Sequence, residues 1–190
     1  MGANIPFTPR PAPAAPLHFG PVTLVPGGKG GRYPYCHSLV LDGPEETWVI
    51  DPAAQRAYFT ELARSRRVTA VFLSHFHEDH QRYNYLFPQA AFFGPALEED
   101  AFRSIKGVFR HMGLKDPEFR RHWQETLERQ FHLRPIQRFK PHFPGQLFQL
   151  GELTLEVLPA PGHTPGHSCF AIPELDLVYL ADVDLTSFGP

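Results

Sequence analysis

The chain is short of three things. It has two cysteines in 190 residues, no apolar run near the roughly 20 residues a membrane span needs, and no Lys or Arg after position 140. Cys36 and Cys169 make no disulfide framework and are expected to stay reduced, in a cytoplasmic protein that contacts no membrane. The opening MGANIPFTPRPAPAAPLHFG has neither a charged n-region nor an apolar h-region, so it does not read as a secretory signal. No serine or cysteine sits in a nucleophile-elbow motif, which leaves little room for acyl-enzyme chemistry.

The missing C-terminal bases are half of an asymmetry hidden by the net charge of −2. Between Arg103 and Lys140, ten Lys and Arg stand against four Asp and Glu, whereas residues 141–190 carry six acids and no base. The plain reading is a solvated helical face. The sharper one is a basic cover over an acidic, cation-binding body, with Arg103, Arg110, Arg120 and Arg121 roofing a cleft and drawing in an anionic small-molecule substrate. With no dense Lys/Arg tract, nucleic acid is not the expected partner.

What is abundant is proline and glycine, 21 and 15 residues, in a chain that is 42% hydrophobic. That suits one loop-rich domain of short elements over 17–190, preceded by a Pro/Ala-rich arm over 1–16. Strands are expected at Val22–Val25, Ser38–Leu41, Thr47–Ile50, 90–93, Leu153–Leu158, Ser168–Ile172 and 177–180. Val68-Thr-Ala-Val-Phe-Leu73 is apolar on both parities, as in a strand buried on both faces. Helices are expected at 53–66, 96–107 and 117–131, the last two in a helical excursion over about 95–143. The pattern is a layered α/β one.

Two residues after the buried strand comes His75-Phe-His77-Glu-Asp79-His80. Imidazoles at i and i+2 of an extended segment project from one side and can clamp one cation. Asp79 and His80 offer a carboxylate and an imidazole to a second. Such ligands suit zinc, one or two ions, with iron or manganese as alternatives.

In these residues the chain resembles the metallo-β-lactamase superfamily, glyoxalase II-like, whose signature is His-x-His-x-Asp-His after a buried strand. A Pro-Gly-His-Thr-x-Gly-His loop is matched by Pro161, Gly162, His163, Thr164, Gly166 and His167, and a later strand-end aspartate by Asp182. The resemblance implies a four-layer αββα sandwich with the metal site at one edge of the two sheets. It also implies His75, His77 and His163 as ligands of a first metal, Asp79 and His80 of a second, and Asp182 as the carboxylate between them. Asp79 is the expected catalytic proton acceptor. His167 and Asp51 are expected to support ligands rather than to bind metal, and Asp184 is the substitute if Asp182 is not the bridging residue. Because the family takes a further histidine from beyond this aspartate, the chain reads as truncated at its C-terminus, with an open strand edge that expects a partner, a homo-oligomer among the candidates.

The function implied is a metallo-hydrolase that uses activated water on an ester, thioester or related small anionic substrate. A nuclease or phosphodiesterase, a mononuclear iron persulfide dioxygenase, and a non-catalytic, metal-stabilised binding module are the alternatives.

Overall fold

Strands and helices stack as a helical layer, a seven-stranded sheet and a four-stranded sheet. The computed structural model describes residues 13–183 and 185, so residues 1–12 of the expected arm, and Asp184, lie outside the described residues. The larger sheet runs in sequence order: β1 (Leu17–Phe19), β2 (Val22–Val25), β3 (Ser38–Asp42), β4 (Thr47–Ile50), β5 (Val68–Phe72), β6 (Ala91–Pro95) and β7 (Phe139–His142). The first four strands are antiparallel neighbours, and β4 to β7 are parallel. The smaller sheet is antiparallel, in the order β11 (Leu177–Tyr179), β10 (Ser168–Ile172), β9 (Leu153–Pro159), β8 (Leu147–Leu150).

Alternation along the strands sorts the side chains into two cores. Leu39, Leu41, Trp48, Ile50, Ala70 and Phe72 of the larger sheet meet Leu153, Leu155, Val157, Phe170 and Ile172 of the smaller. Phe72, fully buried, stacks on Phe93 at 4.9 Å and meets Phe148 edge-on at 4.9 Å. Aromatic pairs of this kind add about 0.5–1.5 kcal/mol each beyond area burial. The opposite parity, with Val40, Val49 and Val71, packs under helices α1 (Arg56–Ser65), α2 (Glu99–Arg103), α3 (Ile105–His111) and α4 (Pro117–Gln130). The architecture is the expected α/β sandwich in its first three layers; among the described residues no helix lies over the outer face of the smaller sheet.

Three expectations are corrected. The helical excursion ends before Phe139, because Phe139-Lys-Pro-His142 pairs with β6 as the parallel edge strand β7. Pro141 is tolerated there since an edge strand leaves one row of amides unpaired. The helix expected over 96–107 is broken at Ser104, whose extended backbone ends α2 and whose hydroxyl caps α3 by accepting from the Gly107 amide at 3.1 Å. The strand expected over 177–180 ends at Tyr179, and its Val178 is 48% exposed, because Ala171↔Val178 pairing turns it to the outer face.

The parallel half of the larger sheet positions the chemistry. Asp51 follows β4, Ser74 and His75 follow β5, Glu98 ends a 3-10 turn after β6, and His142 closes β7; all five are buried. Side chains just beyond the carboxyl ends of parallel strands converge on one rim, the usual place for ligands in sheets of this kind.

Candidate metal centre

Asp51 is the hub of the rim. It is fully buried and has φ +48°, a backbone Asp tolerates better than most residues. Oδ1 accepts from the Ser74 amide at 2.9 Å, and Oδ2 takes the Ser74 hydroxyl at 2.7 Å, His80 Nδ1 at 2.8 Å and the Tyr179 hydroxyl at 3.1 Å. Since the Ser74 hydroxyl donates to Asp51, it accepts from His75 Nδ1 at 2.9 Å. The network therefore assigns Nδ1–H to both His75 and His80 and leaves their Nε2 atoms pointing away from the hub. Those two buried Nε2 atoms make no hydrogen bond among the described residues.

They face Asp182. Its Oδ1 lies 3.1 Å from His80 Nε2, off the line of a hydrogen bond, and its Oδ2 lies 3.2 Å from His163 Nε2 and 3.9 Å from His75 Nε2. His163 Nε2 is 2.9 Å from His77 Nδ1. One ligand atom from each of His75, His77, His163 and Asp182 falls in a group no wider than 4.8 Å. Tetrahedral ligands at 2.0–2.1 Å from zinc stand about 3.3–3.4 Å from one another, so these separations suit a single small cation. The donor set, three imidazoles and a carboxylate, is also that of zinc or iron rather than of calcium.

The electrostatics point the same way. Burial, then the neighbouring imidazoles, holds His75 well below its ordinary pKa and brings His77 down to about 4, so both rings stay neutral donors at pH 7. Burial opposes ionisation of Asp182, but His163, His80 and His75 outweigh it and hold the carboxyl far below the carboxylate range. Burial likewise opposes charge on His80, yet Cys36, Asp51 and Asp182 drive it well above the imidazole range, so without a cation its Nε2 carries a proton, whose place a metal would take. A place that pulls a proton onto a buried imidazole is one that favours positive charge.

Asp79 is buried, with its carboxyl raised first by desolvation. It lines an open cavity of about 310 Å³ with Gly31, Tyr33, His77, Glu78, Met112, His163 and Asp182. Among the described residues no Lys or Arg lines it. The expected basic roof is not there: Arg103 pairs with Glu99, Arg110 with Asp100, and Arg120 reaches the Leu114 carbonyl. Exposed cations settle on the nearest acceptor because a long reach costs side-chain entropy. The helical layer sends Met112 alone to this mouth.

The structure thus gathers His75, His77, His163 and Asp182 around one point and sets Asp79 and His80 beside it. His167 is placed behind the cluster, its Nε2 accepting the Asp182 amide at 3.2 Å. Three contributors carried no legible signal. Glu98 binds backbone amides on both ligand segments. Tyr33, 59% exposed at the mouth, donates to Glu78 Oε1 at 2.9 Å. Tyr179 closes the hub from the smaller sheet. Cys36 and Cys169 are both free and buried.

A profile of the metallo-β-lactamase superfamily matches residues 32–190. The hydroxyacylglutathione hydrolases of Rhizobium etli and Rhizobium johnstonii are each 25% identical over 148 residues, covering 76% of this chain and 42% of their own length. The chain therefore spans about two fifths of the curated relatives it matches. Among solved structures, a subclass B3 metallo-β-lactamase from a soil metagenome library superposes with TM-score 0.61 at 18% identity, over 84% of this chain and 58% of the other. A metallo-β-lactamase family protein of Thermus thermophilus gives TM-score 0.58 at 24% identity, over 81% and 56%.

Proposed function

This chain belongs to the metallo-β-lactamase superfamily, and from that premise we propose that it is the metal-binding part of a hydrolase that cleaves small esters or thioesters with water. The observation that carries the reading is the four-ligand group of His75, His77, His163 and Asp182, with a buried His75 Nε2 that has no hydrogen-bond partner among the described residues. Zinc is the proposed ion, iron or manganese the alternatives.

Each residue has a task. His75, His77 and His163 hold the cation through neutral imidazole nitrogens. Asp182 adds a carboxylate whose second oxygen faces His80 Nε2, so a second ion there would have His80 and Asp79 as its donors. Asp51 and Ser74 hold the Nδ1–H of His80 and His75 and so turn both Nε2 atoms toward the cation site. A bound cation supplies Lewis acidity and brings water toward ionisation near neutral pH. Asp79, raised by burial and on the same cavity wall, takes the proton that water gives up at its carboxylate oxygen. Tyr33 and Glu78 shape the mouth.

The thioester preference rests on the curated relatives, whose name says that they hydrolyse hydroxyacylglutathione. With no arginine among the described residues lining the cavity, attraction for an anionic substrate falls to the bound cation itself. The same lack counts against a phosphodiester backbone as substrate, which basic side chains would have to hold.

Elemental analysis of protein purified without chelators tests the centre: about one transition-metal ion per chain is expected, with a second held more weakly. His77→Ala should lower retention by at least about 100-fold, beyond the range of supporting-residue changes, whereas His122→Ala should leave it alone. No metal in the unmodified protein sinks the reading. A panel of thioesters, lactones and phosphodiesters then assigns the bond, and turnover of the phosphodiesters alone would overturn the substrate class.

A further inference from the structure

Glu98 belongs to no motif and does not touch the ligand cluster, yet it is fully buried at the rim. Its two oxygens are divided between the two segments that carry the ligands. Oε2 accepts at 2.9 Å from the amide of Phe76, the residue between His75 and His77. Oε1 accepts at 2.8 Å from the amide of Gly166, three residues after His163. His77 and His163 are 86 residues apart in the chain, and one carboxylate spans the gap.

Gly166 is shaped to this contact. A Cβ there would lie 2.7 Å from Pro95 Cβ and 2.9 Å from Glu98 Cγ, so any larger residue pushes the carboxylate away. The glycine serves close approach rather than an unusual turn, since it is not among the positive-φ glycines. At its root the His163 loop is joined to the same rim by the Ser168 amide on the Ser74 carbonyl at 3.0 Å. Glu98 is the second tie, nearer the ligand. Burying a carboxylate costs several kcal/mol even after relaxation. Among the described residues no Lys or Arg bonds to it; amides of the two ligand segments do, which is an expensive way merely to fill space.

We propose that Glu98 is a positioning residue that fixes the His75–His77 segment and the His163 loop at the spacing one cation requires. The inference rests on the metal reading above. It makes the three-imidazole set a preformed one, held by hydrogen bonds that exist before metal enters.

Cobalt(II) tests it, by competition titration against a chelator and by the visible bands of the loaded protein. Glu98→Ala and Gly166→Ala should each raise the cobalt Kd by about 10–100-fold, the range for groups behind metal ligands. Glu98→Gln, which keeps one acceptor oxygen, should fall between them and the unmodified protein. All three should shift the cobalt bands, because the imidazoles are re-aimed. Adding Gly166→Ala to Glu98→Ala should cost little more, since both break one tie. Should Glu98→Ala fail to fold, the isosteric Glu98→Gln and the carboxylate-retaining Gly166→Ala carry the comparison. Variants that melt earlier but bind cobalt with unchanged affinity and bands would show Glu98 to be packing only, and overturn the proposal alone. An unmodified protein that takes up no cobalt overturns the metal reading beneath it.

Discussion

His80 Nδ1 stands 2.8 Å from Asp51 Oδ2, and His111 Nε2 stands 2.8 Å from Asp100 Oδ1. The residue types and the separation are the same; the surroundings are not. The first pair is at most 1% exposed, and its aspartate also holds Ser74 and Tyr179. In the second, on the helical layer, Asp100 is 38% exposed and shared with Arg110. Distance alone does not give an ion pair its worth. Desolvation raises both the strength of the contact and the cost of losing one side of it, while water and salt dilute the other pair.

Asp51→Ala is where the contrast should be largest. The change strips four donors of a buried acceptor at once and leaves His80 without its counter-charge. Urea unfolding of chelator-treated protein should show a loss of about 3–5 kcal/mol, the cost of removing one partner from a buried pair. Asp51→Asn, which accepts the positive φ, separates backbone strain from lost charge. A loss below about 1 kcal/mol would place the hub among ordinary surface pairs and dissolve the comparison.

A third buried imidazole extends it to pH. Among the described residues His142 has no carboxylate partner; its Nε2 donates to the Leu73 carbonyl at 3.2 Å, and burial lowers its pKa to about 4. The unfolded chain takes up the proton near the ordinary value of 6.5. Between those values the unfolded state binds more protons, so stability falls as pH drops from about 6.5 toward 4, by about 3 kcal/mol in all. His142→Phe removes that slope at a fixed cost of about 1 kcal/mol for the hydrogen bond. Parallel acid profiles of chelator-treated wild type and variant would sink the assignment.

The same contrast separates what the sequence could tell from what it could not. His75, His77, Asp79 and His80 were legible because their spacing is local, and a buried strand precedes them. His163 and Asp182 were legible through their order in a familiar pattern. Glu98 was not, since its partners are backbone amides 22 and 68 residues away, which leave no side-chain signature. The clue in hindsight is positional: an acid just past a buried strand, as Asp51 is past β4. The edge strand β7 was hidden by Lys140 and Pro141, and the basic excursion looked like a roof because a charge count is blind to the direction in which a side chain points.

The smallest effect belongs to the exposed pair. Burial opposes ionisation of Asp100, yet His111 and Arg110 together outweigh it and hold the carboxyl below its ordinary pKa, so Asp100 gains some stability from ionisation. With more than a third of its side chain in water, that gain is screened, and Asp100→Ala should cost below about 1 kcal/mol, part of it the loss of an acid from the first turn of α2. The loss should shrink further in 1 M salt, where the screening length is about 3 Å, whereas the Asp51→Ala loss should barely move. Metal retention should be unaffected, because nothing from this cluster lines the cavity beside His77 and His163. Urea midpoints for both variants at low and high salt, with metal content measured alongside, decide the matter. A salt-insensitive loss above about 2 kcal/mol for Asp100→Ala would mean that the helical pair is as desolvated as the rim pair, and that the layer over the site does more than cover it.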